Sequence, residues 1–121
     1  MATFNEGRHP AEFLLSEANG QRSRGNITIG AMQTIVPGQV LGQITGGNWV
    51  AHDPAAADGS QTAGAIALYG AVTGAGATAA ISAIVREAEV NGKTLSYKTG
   101  LTAPQIAQIA TDLAGKQIIV R

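Results

Sequence analysis

Between Gly59 and Val85 the chain carries no charged side chain, and this run limits the possible folds more than any other feature. It is long enough to cross a bilayer, for which about 20 apolar residues suffice. Its content argues otherwise. Ile66, Leu68, Val72, Ile81, Ile84 and Val85 are its large aliphatics, and Gly64, Gly70, Gly74, Gly76 and many alanines fill the rest. Alanine and glycine gain little from lipid, and no Lys/Arg pair flanks the run as an anchor. A membrane partner is therefore not expected. The same texture runs through the whole chain: of 54 apolar residues in 121, 22 are Ala, 25 are Ile, Val or Leu, and 5 are aromatic. Small side chains bury little area each, and apolar burial contributes only about 25 cal/mol per Å². A lone monomer would have a thin core, so a partner surface is expected to cover part of it.

Charge narrows the partner class. Eight Lys and Arg balance eight Asp and Glu. Nucleic-acid binding draws most of its affinity from a basic excess, which is missing here. Cysteine is absent. That removes disulfides, thiolate catalysis and Cys-ligated metals. The N-terminus (MATFNEGRHP) has neither the basic start nor the apolar stretch of a secretory signal.

Local signals predict short strands. Asn26–Ile29 alternates polar and apolar. Pro37-Gly38 marks a turn before Val40–Ile44, and Gly46–Asn48 turns again before Trp49–His52. Asp53–Ser60 reads as a loop, and Ala65–Val72 as a buried strand. Ala79–Val90 fits both a helical and a two-residue period, the latter with a slip before Ala88 that a bulge would explain. Asn91-Gly92 reads as a hairpin turn. One helix is well marked. Thr102 and Gln105 make a capping box, Pro104 sits in the first turn, and Leu101 and Ile106 form a hydrophobic staple. Ile106, Ile109, Ala110 and Leu113 form its apolar face, with Asp112 outside it. Gly115 is placed to end it, and Gln117–Arg121 reads as a terminal strand.

Residues 1–25 differ from the rest. They hold six of the sixteen charges and both phenylalanines, and they show no sustained period. Phe4 and the Phe13-Leu14-Leu15 cluster are either a terminal strand docked on its own domain or an arm that grips something else. The chain is accordingly divided into an arm, residues 1–25, and a body, residues 26–121.

Catalytic motifs fail on context. His52-Asp53 are neighbours whose side chains point to opposite faces of a strand, and no G-x-S-x-G is present. Two histidines without ligand spacing give no metal site. Gly74–Ala79 matches G-x-G-x-x-A in outline, but no acidic residue follows at the required spacing of about 20. Glu87 and Glu89 sit beside Arg86 and Lys93, which makes them a solvated face. No catalytic residue, cofactor site or metal site is assigned.

The ordered blocks EFLLSEANGQRSRGNITI (Glu12–Ile29), PGQVLGQIT (Pro37–Thr45), WVAHDPAAADGSQTAGAIA (Trp49–Ala67) and REAEVN (Arg86–Asn91), with the C-terminal helix and its Ile-Ile-Val-Arg end, resemble phage head decoration proteins of the lambda protein D type. SEANGQRSR is the most distinctive piece. The resemblance implies a mostly β, β-clip-like domain with one C-terminal helix and an extended N-terminal arm. It resolves Ala79–Val90 as strand. It implies a homotrimer on the outer capsid surface of the virion that clamps an expanded shell against packaged DNA. In that reading the arm binds the major capsid protein. Phe13, Leu14 and Leu15 are the anchor, Phe4 reaches a second pocket, and Glu17, Arg22 and Arg24 set register. The competing readings are a tail or fibre component and a small ligand-binding β-barrel.

Overall fold

The computed structural model describes residues 9–121, and Phe4 lies outside them. Ten strands and one helix follow in order: β1 (Leu14–Glu17), β2 (Arg24–Ile29), β3 (Thr34–Ile35), β4 (Val40–Gln43), β5 (Trp49–Ala51), β6 (Ala63–Ala67), β7 (Ala71–Val72), β8 (Ala79–Ile84), β9 (Ala88–Val90), α1 (Ala103–Ala114) and β10 (Ile118–Val120). The domain is mostly β with a single C-terminal helix.

The alanines find their purpose in a closed barrel of order β2-β5-β4-β6-β8. Ile27, Ile29, Ile35 and Leu41 fill its interior together with Ala65, Ala67 and Ala83. A five-stranded barrel is narrow, and pairing large side chains from some strands with alanines from others fills it without overpacking. The lumen is occupied by these side chains.

Strand β6 is buried along its whole length. Ala65 and Ala67 face the barrel, while Ala63, Ile66 and Leu68 face a second core. A bulge at Gly64, between the Leu41↔Ala65 and Gly42↔Ala63 pairs, sets this phase. A strand shared by two cores has no solvent face, which is why the middle of the uncharged run tolerates no charge. The second core lies under α1 and a three-stranded sheet of order β1-β9-β10. It contains Phe13, Val40, Ile84, Val90, Leu95, Ile109, Leu113 and Ile118. A two-stranded ribbon, β3-β7, completes the fold.

The capping box at Thr102 and Gln105 is present in both directions. Ile109 and Leu113 are buried as expected, but Ile106 is 37% exposed. Asp112, expected on the outer face, instead turns one carboxylate oxygen onto the Ala63 N–H at 3.2 Å and so ties the helix to β6. Gly115 ends the helix in right-handed conformation (φ −63°), and the left-handed residue is Gln117 (φ 60°). The extra turn this allows feeds β10 parallel to β9.

Three other expectations change. Ala65–Val72 is not one strand, because the chain bends at Leu68-Tyr69 between β6 and β7. Ala79–Val90 is strand, but its slip is a change of sheet. The chain leaves the barrel after Ile84 and joins β1 and β10 at Ala88, with Glu87 at φ 50° making the corner. Asn91-Gly92 turns the chain but makes no hairpin. The Asn91 side chain accepts from the Lys93 N–H at 3.0 Å, and neither residue has positive φ.

Candidate interaction surface

The described arm residues occupy different environments. Phe13 has no exposed surface and belongs to the helix-side core. Leu14 packs half-buried against the same core. Leu15 alone of the three is open, at 55%. The pairing of β1 with β9 explains the difference. Leu14 stands opposite Val90 and Ser16 opposite Glu89, so Leu15 is the extra residue of a bulge. The expected boundary between arm and body at residue 25 also differs from the structure, because β2 begins at Arg24 and β1 is already part of a sheet. Of the two readings of the aromatics, Phe13 follows the docked-strand one: an aromatic ring is too large an apolar surface to leave in water when a thin core can take it.

The charged residues of the distinctive SEANGQRSR block turn inward on the protein itself. Arg24 grips Glu17 with two hydrogen bonds, Nε to Oε2 at 2.8 Å and Nη2 to Oε1 at 2.7 Å. This forked contact holds the Glu17 carboxyl below its ordinary value and raises the Arg24 guanidinium, against a smaller opposing effect of burial. Arg22 pairs with Glu87 at 2.5 Å. Arg86 donates to the Arg22 carbonyl at 2.7 Å. Buried Ser23 accepts from the Ala18 N–H at 2.8 Å and donates to the Glu87 carbonyl at 2.6 Å. Gly20, at φ 69°, turns the loop. The block is a clasp between the three-stranded sheet and the barrel, and its charges serve the turn that they close.

The enzyme-like features separate as expected from their spacing. Buried His52 places Nε2 3.1 Å from the Gln61 carbonyl oxygen, whereas Asp53 pairs with Lys98 at 2.9 Å and accepts from the Ala55 N–H. Lys98 and the Ala55 N–H lower the Asp53 carboxyl below its ordinary range. Gly74–Thr78 is an exposed turn closed by Ala77 N–H to Gly74 carbonyl at 3.2 Å. Glu89 accepts from Ser16 and Arg121, and both hold its carboxyl low. Among the described residues no three His, Cys, Asp or Glu side chains gather as metal ligands, and no helix is long and apolar enough to cross a membrane.

Several large apolar side chains also face outward. Val72, on β7, is 79% exposed, and Met32, in the turn that leads into β3, is 71% exposed. Leu15 and Ile119 (40% exposed) lie on the three-stranded sheet. Val72 was expected at the end of a buried strand and is instead exposed, and Met32 was not singled out because it sits in no motif. The available signal was two large apolar residues among loop-like glycines and alanines. Contiguous exposed apolar groups mark protein–protein contact surfaces, whereas singly scattered ones are ordinary.

The fold thus defines a small packed β domain with a single C-terminal helix. A family model described as Bacteriophage lambda head decoration protein D matches residues 3–118. That covers nearly the entire chain, and the chain belongs to this family of structural phage head proteins. Among curated proteins, no individual relative matches.

Proposed function

We propose that this chain is a cement protein that sits as a homotrimer on the outer surface of the expanded phage head, bound to the major capsid protein, and holds the shell against the pressure of packaged DNA. Binding the expanded shell in preference to looser states stabilises it by mass action, and many modest contacts add over one particle. The observation that carries the capsid contact is β1. It has β9 on one side and no strand among the described residues on the other, and it bears exposed Leu15 next to the N-terminal segment. An open strand edge accepts an extended partner by backbone hydrogen bonds, with a flanking apolar side chain for grip. In this reading Leu15 is the anchor on the body and Phe4 a second one upstream. Phe13 and Leu14 seat the strand from below, and Glu17, Arg22 and Arg24 hold the clasp that fixes its direction.

The test is sedimentation with purified expanded heads. A chain beginning at His9 and, separately, Leu15→Asp in the full chain should keep the parent's melt and oligomeric state and lose head binding. Binding as tight as the parent's in both would refute the placement of the grip. Heads that rupture equally with and without the bound protein would refute the cement role.

A further inference from the structure

We infer that the Met32–Val72 end of the β3-β7 ribbon is the surface by which copies of this chain meet one another around the three-fold axis. The inference rests on the trimer reading above and names the residues that make it.

Three observations converge on this ribbon. First, Val72 on β7 and Met32, in the turn that leads into β3, are the two most exposed large apolar side chains among the described residues. Second, their backbone is fixed. Buried Thr73 donates its hydroxyl to the Gly30 carbonyl at 2.6 Å and accepts from the Gln33 N–H at 2.9 Å. The Thr73 N–H bonds the Gln33 carbonyl at 2.8 Å, and the Met32 N–H bonds the Gly74 carbonyl at 3.1 Å. Met32 itself is held at φ 60°, a conformation that costs an ordinary side chain free energy and persists only where its surroundings impose it. A strained backbone that pushes a thioether into water is explained if the side chain is covered in the working assembly. Preorganisation of this kind also lowers the entropy cost of association.

Third, the flanking segments carry no charge. From Ala71 to Val85 no residue is ionisable, and Ala31, Gln33 and Thr34 on the facing segment are neutral. Neutrality is the feature that selects a second copy over a different protein. On a rotation axis every side chain faces its own copies, so a single charged residue would place three like charges together in a desolvated centre. A contact with a different partner has no such constraint and commonly uses opposite charges for steering. The remaining exposed apolar residues on a sheet, Leu15 and Ile119, lie on the β1-β9-β10 sheet over the other core. Capsid and neighbour are thereby served by different parts of the fold. Met32 suits the axis further, because a flexible thioether can adjust to two identical neighbours.

The test uses the full chain. Both side chains are exposed, so Met32→Lys with Val72→Lys should leave the far-UV spectrum of the fold intact. Light scattering at micromolar concentration should read three chains for the parent and one for the double variant. A trimeric parent with a trimeric double variant would overturn the inference and leave the trimer standing. A monomeric parent would refute the trimer itself, and the inference with it. A double variant that stays trimeric and loses only head binding would assign the patch to the capsid, and so would also overturn the inference. A second measurement does not depend on the lysine variant folding. The chain has no cysteine, so Met32→Cys provides one thiol per copy. A short bismaleimide, adding one thiol across each of its two double bonds, should join two copies at dilute protein concentration. Leu15→Cys should give no such product. Absence of the covalent pair from trimeric Met32→Cys would refute the on-axis placement.

Discussion

Replacing Phe13 with alanine separates a structural from a binding role for the residue that sequence reading placed in the arm. Phe13 is fully buried in the core shared by Val90, Ile109, Leu113 and Ile118. Removing a buried aromatic ring loses its transfer free energy and leaves a cavity, together about 3–5 kcal/mol. A domain of this size has roughly 5–15 kcal/mol of net stability. The variant should therefore lose a third or more of it in a typical case. With about 3–5 °C of Tm per kcal/mol for a chain between the tabulated size classes, the melt should fall on the order of 10–20 °C. The assay is denaturant unfolding of parent and variant at equal chain concentration, because assembly adds a concentration-dependent increment to both. The denaturant midpoint should drop with little change in slope. Any loss of head binding should disappear when the comparison is made under conditions where both are folded. A midpoint within about 0.5 kcal/mol of the parent, the range of an inert surface change, would refute the burial argument and return Phe13 to the partner. By the same logic, a chain beginning at Asn26 loses β1, Phe13 and Ser23 together and should not fold cooperatively.

Three further outcomes are expected. Leu113→Asp puts a carboxylate into a fully buried position on α1 and should abolish the cooperative melt, which circular dichroism reads directly. Gly42→Ala should be destabilising by about 1–3 kcal/mol, because its Cβ would lie 2.6 Å from the Ser60 backbone, while Gly74→Ala, facing open space, should be neutral in the same thermal assay. Glu17 and Glu89 have folded-state values below the ordinary 4.5; the native state thus binds fewer protons than the unfolded chain, and their contribution is complete above pH 4.5 and is lost as pH falls through the folded values. An acid titration of unfolding should be shallower for Glu17→Gln than for the parent below that pH, and an equal slope would show that the Arg24 contact adds nothing.

Features carried by neighbours in sequence were legible beforehand. The capping box at Thr102 and Gln105, the Pro37-Gly38 turn, the β2 alternation and the burial of Ile109 and Leu113 follow from contacts spanning a few residues, so composition and spacing disclose them. The order of ordinary blocks also pointed to the family. The candidate surface was legible only in part. Leu15 was marked, but through the cluster it shares with Phe13 and Leu14; Val72 was expected to be buried, and Met32 passed unnoticed. An exposed apolar residue looks the same in sequence as a buried one.

What the sequence determined by itself is therefore local geometry, the mostly β class with one C-terminal helix, and membership in a family. Tertiary structure alone decided that Phe13 faces inward, that SEANGQRSR is a clasp, and that alanines from β6 and β8 fill a closed barrel. Each of these depends on partners far away in the chain: Glu87 for Ser23, Ile109 and Leu113 for Phe13, Ile27 and Leu41 for Ala65. Bulges at Leu15 and Gly64 also exchange which face a residue occupies. A one-residue slip in pairing inverts inside and outside, and no short-range pattern records which of the two registers the long-range contacts select.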